Sequence, residues 1–147
     1  MLRSTTSSTG FSRKSSLPCF IASTALGKSP WEDHVVQAID YQSYPIVDEA
    51  SCRAYLQVLL IGAAMMPRVE VHNALGRSDM EVQAGTRHWV FEFKFANDDA
   101  KTKSLLNAAI EQIKTRRYGA QSPNQELIRI ALVFSSKQRK FTAWQQI

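Results

Sequence analysis

The sequence predicts a mixed α/β fold, in which a β-sheet is flanked by helices in the order ααβββαββ. Three segments with strand composition follow one another between residues 68 and 95, with turn residues between them. A helical pattern at 101–117 then precedes a continuous apolar run at 127–134. Because a helical crossover is long enough to return the chain to the same end of a sheet, the strand after it is predicted to lie parallel to a neighbour.

Two helices are predicted before the first strand. The first is short and is expected between Trp31 and about Tyr41. Asp48 offers an N-cap for a longer second helix, and Pro67 ends it. The apolar stripe of this second helix comprises Cys52, Tyr55, Leu56, Leu59, Leu60 and Ala63.

Five strands and one more helix are predicted after that. The strands are 68–73, 78–83, 88–95, 127–134 and 140–144. A turn at 84–87 joins the second strand to the third, and Asn97, Asp98 and Asp99 supply turn and N-cap chemistry for the third helix, which Gly119 ends. The apolar side of this helix consists of Leu105, Leu106, Ala109, Ile110 and Ile113.

The positive charge of the chain is unevenly distributed. The 147 residues suffice for one domain with a sizeable core, and their formal net charge is +5. Residues 1–31 contain four basic residues and no acid, so 14 basic residues face 13 acidic ones in the rest of the chain. Any nucleic-acid-binding surface of the folded part must therefore come from local clustering of basic residues.

Residues 1–30 are predicted to be a flexible leader rich in Ser and Thr, ahead of a single domain at 31–147. The same acid-free composition is typical of a mitochondrial transit peptide, and 17–27 has the apolar character of a weak secretory signal. The predicted location is cytoplasmic, with mitochondria as the alternative.

The sequence indicates a soluble protein without a membrane partner. No apolar run is long enough to cross a bilayer. Cys19 and Cys52 have no close cysteine or histidine partner, so neither a zinc site nor a disulfide is expected. A reducing compartment is consistent with that pattern.

Charged and aromatic residues alternate along the third predicted strand. Glu92 and Lys94 share one face, while the phenylalanines of the same segment turn to the other. If Asp79 lies close by on the neighbouring strand, two carboxylates and one lysine converge. Two carboxylates suit Mg²⁺ or Mn²⁺, which would lower the pKa of a bound water and neutralise charge on a phosphoryl oxygen. The alternative for Glu92 and Lys94 is a surface ion pair of little energetic value.

The residues around this pattern resemble the PD-(D/E)XK nuclease superfamily. The resemblance is carried by Glu70-Val71-His72-Asn73-Ala74-Leu75-Gly76-Arg77-Ser78-Asp79, by Val90-Phe91-Glu92-Phe93-Lys94, and by Glu111-Gln112-Ile113 with Tyr118. It extends from about Asp48 to Trp144 and is similar to a bacterial group often found C-terminal to AAA-ATPase-like domains. A serine, Ser78, stands where the superfamily name has proline.

The resemblance implies a restriction-endonuclease-like fold and a metal-dependent nuclease that hydrolyses DNA, or less readily RNA, with a metal-activated water. It makes Asp79 and Glu92 metal ligands and Lys94 the catalytic lysine that orients the attacking water. The expected cofactor is Mg²⁺ or Mn²⁺. The expected partners are nucleic acid, a second copy of the chain in a homodimer, and a separate ATPase.

Further site residues follow from the same resemblance. Glu49 and Glu70 match acidic positions that would add metal ligands, although Glu49 would equally stabilise a helix N-terminus. Gln112 is predicted to face the site as a catalytic residue that holds a phosphate or the lysine. The predicted nucleic-acid-binding residues are Arg77, Lys114, Arg116, Arg117 and Tyr118.

Other readings of these residues stay open. The basic residues of the third helix also fit a solvated face, Arg77 fits a turn before a strand, and Tyr118 fits a capping or packing role. His72 and His88 lack metal-ligand spacing and are predicted to be structural or surface residues. A noncatalytic binding or assembly module that keeps the nuclease fold is the alternative function.

Overall fold

The computed structural model describes residues 42–62, 64–119 and 124–147. The elements in this part of the chain are α1 (Glu49–Gly62), β1 (Arg68–Asn73), β2 (Gly76–Ala84), β3 (Arg87–Ala96), a short 3-10 helix (Asp99–Lys101), α2 (Thr102–Arg116), β4 (Glu126–Ser135) and β5 (Lys140–Gln146). The predicted leader, the predicted first helix and Cys19 lie outside the described residues. None of the helices that are described has the length and apolarity to span a bilayer.

The described strands form a five-stranded mixed sheet in the order β1-β2-β3-β4-β5. Neighbouring strands are antiparallel except for β3 and β4, which are parallel along their whole length. The α2 crossover connects these two strands, as the sequence predicts, because a parallel pair cannot be joined by a tight turn. The predicted α/β class with a mixed sheet flanked by helices is confirmed.

The sheet separates two apolar cores. On one face, Phe91 and Phe93 of β3 are buried with Leu56 of α1. On the other face, Val90 of β3 packs with Ile113 of α2. Each such buried side chain contributes about 1.5–3 kcal/mol of transfer free energy. The alternation in β3 therefore places the side chains of its other face, including the charged ones, on the side of α2.

Asp48 caps α1, as predicted. The backbone N–H of Ser51 donates to Asp48 Oδ1 at 2.7 Å, and the Ser51 hydroxyl oxygen accepts the N–H groups of Val47 and Asp48 at 2.9 and 3.0 Å. These bonds satisfy backbone donors that a helix start leaves unpaired. The cap fixes the first turn of α1 and thereby the position of Glu49, its first residue.

The turn between β1 and β2 docks on the C-terminal end of α2. Asn73 Nδ2 donates to the carbonyl oxygen of Arg116 at 3.1 Å. The Arg116 side chain lies directly over Gly76, where an added methyl group would come within 2.5 Å of Arg116 Cδ. The helix then ends at Arg117, which adopts a left-handed conformation with a φ of 48°. These contacts hold the hairpin and the helix end together beside the sheet.

Gly119→Ala is expected to lower the free energy of unfolding by about 2–4 kcal/mol. Gly119 has a φ of +75°, and an added methyl group would lie 2.6 Å from Leu127 Cδ1 and 2.7 Å from Val90 Cγ2. The cost of the left-handed backbone and the cost of the crowded methyl group therefore add to each other. Gly85→Ala is the matched control, because its φ is +58° but no atom lies within 4 Å of the added group, so only about 1 kcal/mol is expected. Urea unfolding of the three proteins measures both values, and equal losses for the two variants would contradict the crowding.

Candidate active site

Asp79 lies at the point where the regular pairing of β2 with β3 ends. The last paired residues at this end are Met80 and Phe91. Beyond them, Asp79 Oδ2 accepts a hydrogen bond from the backbone N–H of Phe93 at 2.8 Å. The side chain takes the place of a backbone acceptor, and this bond holds the Asp79 carboxylate beside β3.

Glu92 is a buried carboxylate with only one of its oxygens paired. Its residue is 1% exposed, and its Oε1 accepts a hydrogen bond from Lys94 Nζ at 3.0 Å. The other oxygen, Oε2, is buried and has no hydrogen-bond partner. Such an orphaned acceptor is costly unless something binds it. A cation held between Glu92 and Asp79 would satisfy it, so the residues present fit a divalent metal.

The charges in this site act strongly on one another. The pKa of Glu92 is raised to about 7, because burial and the negative charge of Asp79 raise it by more than Lys94 lowers it. Burial lowers the pKa of Lys94, but the carboxylates of Glu92, Glu49 and Asp79 outweigh that effect, so its pKa is raised overall. Lys94 is therefore an ammonium ion at neutral pH. The charge of Glu49 acts on both residues, which places the start of α1 within electrostatic reach of the site.

Gln112 and Tyr118 extend a hydrogen-bond chain from Lys94. Lys94 Nζ donates to Gln112 Oε1 at 3.2 Å, and Gln112 Nε2 donates to the Tyr118 hydroxyl oxygen at 3.1 Å. The ammonium can only donate, so the amide oxygen of Gln112 must face it. Tyr118 is completely buried in the α2 core, and its contact with the site runs through Gln112.

Glu70 lies next to the site but is held by two arginines. Glu70 and Asp79 lie between the paired residues Val69 with Met80 and Val71 with Ser78, so the register of β1 and β2 brings them opposite each other. One of its oxygens lies 3.1 Å from Arg53 NH2 of α1, and the other lies 3.3 Å from Arg77 NH1 of β2. Both carboxylate oxygens that a metal would need are thus engaged with guanidinium groups.

The remaining predicted nucleic-acid-binding residues lie at the end of α2. Lys114, Arg116 and Arg117 are all exposed. Lys114 has a loose contact with Glu111 at 3.7 Å. Arg77 follows Gly76, which lies against the Arg116 side chain, but the Arg77 guanidinium itself is directed to Glu70.

Sequence reasoning missed two groups of residues. Arg53 was not predicted to take part, although its spacing of four residues from Glu49 puts both on one side of α1.

The second group surrounds Glu81, a buried carboxylate. Glu81 accepts hydrogen bonds from the Ser78 hydroxyl at 2.7 Å and from Arg68 at 3.3 Å, and its Oε2 lies 2.9 Å from His88 Nε2. The predicted structural role of His88 agrees with that buried cluster. In the sequence, only the two-residue alternation of β2 and β3 could have indicated that these polar side chains are buried.

The described residues contain no cluster of three or more histidine, cysteine, aspartate or glutamate side chains arranged to hold a metal ion. A metal centre built on the predicted ligands Asp79 and Glu92 would therefore need further oxygen ligands from water or substrate. Two carboxylates leave coordination positions for water and for a phosphate oxygen, as a Mg²⁺ site in a phosphoryl-transfer enzyme does.

Comparison with known proteins identifies the family of the chain. The family model described as the PD-(D/E)XK nuclease superfamily matches residues 49–144, which is more than half of the sequence. No curated protein and no solved structure matches it. The matched range begins with α1 and ends in β5, so it contains every described element that builds the site, and the mixed sheet between two helices is consistent with the restriction-endonuclease-like fold. The chain therefore belongs to the PD-(D/E)XK nuclease superfamily and has a nuclease-type function.

Proposed function

We propose that this protein hydrolyses phosphodiester bonds in DNA, and less readily in RNA, with Mg²⁺ or Mn²⁺ as its cofactor. The observation that carries this proposal is the buried, unpaired Oε2 of Glu92, in a side chain that Lys94 contacts through Oε1 and that feels the charge of Asp79. Membership of the superfamily supports the nuclease class and a divalent cation in general. The choice of DNA and of these two metals is our inference.

Asp79 and Glu92 are the residues that would hold the cation. Glu49 lies close enough to contribute charge. When bound, a divalent cation lowers the pKa of water and neutralises charge on a phosphoryl oxygen. Glu70 stays a predicted ligand, but it would have to leave both of its arginine partners to reach a metal.

Lys94 supplies a fixed positive charge to the reacting phosphate. Of its three N–H donors, two are engaged by Glu92 and Gln112 among the described residues, which leaves one for a phosphoryl oxygen or for the attacking water. The hydrogen bond to Tyr118 orients the Gln112 amide, and the amide oxygen in turn holds the Lys94 ammonium in position. A donor that is oriented before the reaction stabilises developing charge without reorganisation, which is the main source of its catalytic effect.

Arg77, Lys114, Arg116 and Arg117 would bind phosphates of the same strand on either side of the cut. Contacts of this kind position the strand without reading its sequence. A homodimer and a separate ATPase partner stay predictions from the sequence.

The direct test is cleavage of labelled single-stranded, duplex and branched DNA, and of RNA, with Mg²⁺ or Mn²⁺ and with EDTA as the control. Cutting that requires the metal and is faster on DNA supports the proposal. Calorimetric titration with Mn²⁺ tests the noncatalytic alternative, because metal binding that depends on Asp79 and Glu92 is expected only of the nuclease. A folded protein that neither cuts nor binds Mn²⁺ would favour a binding or assembly module.

The affinity for Mn²⁺ is expected to fall about tenfold between pH 8 and pH 6. The pKa of Glu92 is raised from 4.5 to about 7, so the neutral acid predominates below that pH. A cation requires the carboxylate, and binding must therefore displace a proton at pH 6 but not at pH 8. Calorimetry at the two pH values measures the change, with Asp79→Asn as the control for adventitious binding. Affinity that does not change with pH would contradict the role of Glu92.

Tyr118→Phe is expected to slow cleavage by about tenfold and to lower the free energy of unfolding by about 1 kcal/mol. The change leaves the Gln112 amide without its partner, so Lys94 loses its alignment. Tyr44→Phe is the control, because Tyr44 is 72% exposed. Cleavage rates and urea unfolding are the measurements, and a normal cleavage rate in Tyr118→Phe would show that Gln112 is oriented in another way.

A further inference from the structure

Two arginines from different elements hold one carboxylate at the border of the candidate site. Arg53 NH2 of α1 lies 3.1 Å from Glu70 Oε1, and Arg77 NH1 of β2 lies 3.3 Å from Glu70 Oε2. Glu70 also has a φ of +52°, a left-handed conformation that disfavours any residue with a side chain. The ion pairs therefore coincide with a strained backbone position within β1.

This cluster lies beside the residues proposed for catalysis. Glu70 and Asp79 lie between the same two flanking pairs of the β1–β2 register, and Arg77 precedes Asp79 by two residues on the same strand. Arg53 follows Glu49 by one helical turn, and the charge of Glu49 acts on Glu92 and Lys94. The two arginines thus come from the strand and the helix that also carry Asp79 and Glu49.

We propose that Arg53 and Arg77 form a binding position for a phosphodiester group adjacent to the scissile phosphate, and that the Glu70 carboxylate occupies this position in the free protein. This inference rests on the proposed function, since it takes a nucleic acid strand as the ligand. It adds Arg53 to the binding residues and gives Glu70 the role of a competitor for the substrate.

The chemistry of the three side chains supports an exchangeable anion. A guanidinium group binds carboxylate and phosphate oxygens with the same geometry. The Arg53 side chain is only 19% exposed, whereas Glu70 and Arg77 are 41% and 48% exposed, so the anion and one of its two arginines are accessible to a ligand. Ion pairs as exposed as these add little to folding stability, so stability does not explain a strained glutamate at this position.

Occupation by Glu70 has a measurable consequence. A strand that binds must displace the carboxylate, so removing the charge of Glu70 strengthens binding. Removing either arginine weakens binding and makes it less dependent on salt by about one counterion, because one phosphate contact is lost. The gain from the Glu70 change must disappear when Arg53 is also changed, since both act on the same position.

The test is fluorescence anisotropy of a labelled duplex oligonucleotide in EDTA at several salt concentrations, with the full chain. Glu70→Gln is expected to bind about three- to tenfold more tightly than the wild type, and Arg53→Gln about tenfold more weakly. The double variant should bind like Arg53→Gln. Glu126→Gln and Arg87→Gln are the matched controls, because these residues form an exposed ion pair at 2.8 Å at the other end of β3.

Several results would overturn the inference. It fails if Glu70→Gln binds no more tightly than Glu126→Gln, if the double variant keeps the gain, or if neither the wild type nor any variant binds. Lost cleavage in Glu70→Gln with unchanged DNA affinity would make Glu70 a metal ligand instead. Thermal unfolding shows whether each variant is folded, and Arg53→Lys, which keeps the charge, replaces Arg53→Gln if the latter does not fold.

The inference and the nuclease proposal can fail separately. Tighter binding by Glu70→Gln without cleavage by any of the proteins in Mg²⁺ or Mn²⁺ would support the phosphate position and refute the nuclease. Metal-dependent cleavage with no effect of Glu70 or Arg53 on binding would support the nuclease and refute the phosphate position.

Discussion

Asp79→Asn and Glu92→Gln are each expected to reduce metal-dependent cleavage by at least about a hundredfold. Each change removes one of the two carboxylates on which a metal centre would depend, while it keeps the size of the side chain. Asparagine also keeps an oxygen that can accept the Phe93 N–H, the bond that Asp79 makes at 2.8 Å. The fold should therefore survive, and the loss can be assigned to chemistry.

Single-turnover cleavage with Mg²⁺ and calorimetry with Mn²⁺ measure the two expected losses. Glu111→Gln is the matched control, because it removes one negative charge from an exposed residue next to Gln112 in the chain. Circular dichroism confirms that each variant is folded. Wild-type cleavage by either of the two site variants would refute the metal-ligand role of that residue.

Lys94→Met is expected to slow cleavage by at least about a hundredfold while Mn²⁺ binding is retained. Methionine keeps most of the length of the side chain but removes the charge that faces the phosphate. It also removes the partner of Glu92 Oε1, so the pKa of Glu92 rises further, because Lys94 is what opposes that rise. Metal binding must therefore be compared over a pH series, because at any given pH less Glu92 is ionised in Lys94→Met than in the wild type.

Lys103→Met is the control for the loss of a lysine, since Lys103 lies exposed in the first turn of α2. Lys94→Arg separates charge from shape, because a planar guanidinium cannot occupy the position of a compact ammonium between Glu92 and Gln112. We expect Lys94→Arg to stay slow as well. Full cleavage by Lys94→Met with normal metal binding would remove Lys94 from the mechanism.

Most of the fold could be predicted from local patterns. The predicted first strand has the bounds of β1, and the other strands are longer than predicted by no more than two residues at either end because pairing extends them. The end of α1 is the exception. The helix ends at Gly62, before Pro67, and Ala64 then adopts a left-handed conformation with a φ of 59°. Pro67 sets the farthest point that the helix could reach, whereas the helix ends five residues earlier, at Gly62.

One part of the candidate site could be predicted from local patterns, and another part could not. The side-by-side placement of Glu92 and Lys94 depends on the two-residue repeat of a single strand, so alternation alone predicts it. Their closeness to Asp79 depends on a hairpin, which turn residues also signal. The buried, unpaired state of Glu92 Oε2 is different, because it depends on how α2 covers the sheet.

By itself, the sequence determined the order of the elements, the two faces of β3 and the membership of a nuclease superfamily, because these depend on neighbours in the chain. Only the tertiary structure decided that Glu70 is held by Arg53 and Arg77, that Tyr118 contacts the site through Gln112, and that the β1–β2 turn docks on the end of α2. The physical reason is that such contacts join residues far apart in the chain. No periodicity or propensity records which pairs the packing of helices on a sheet brings together.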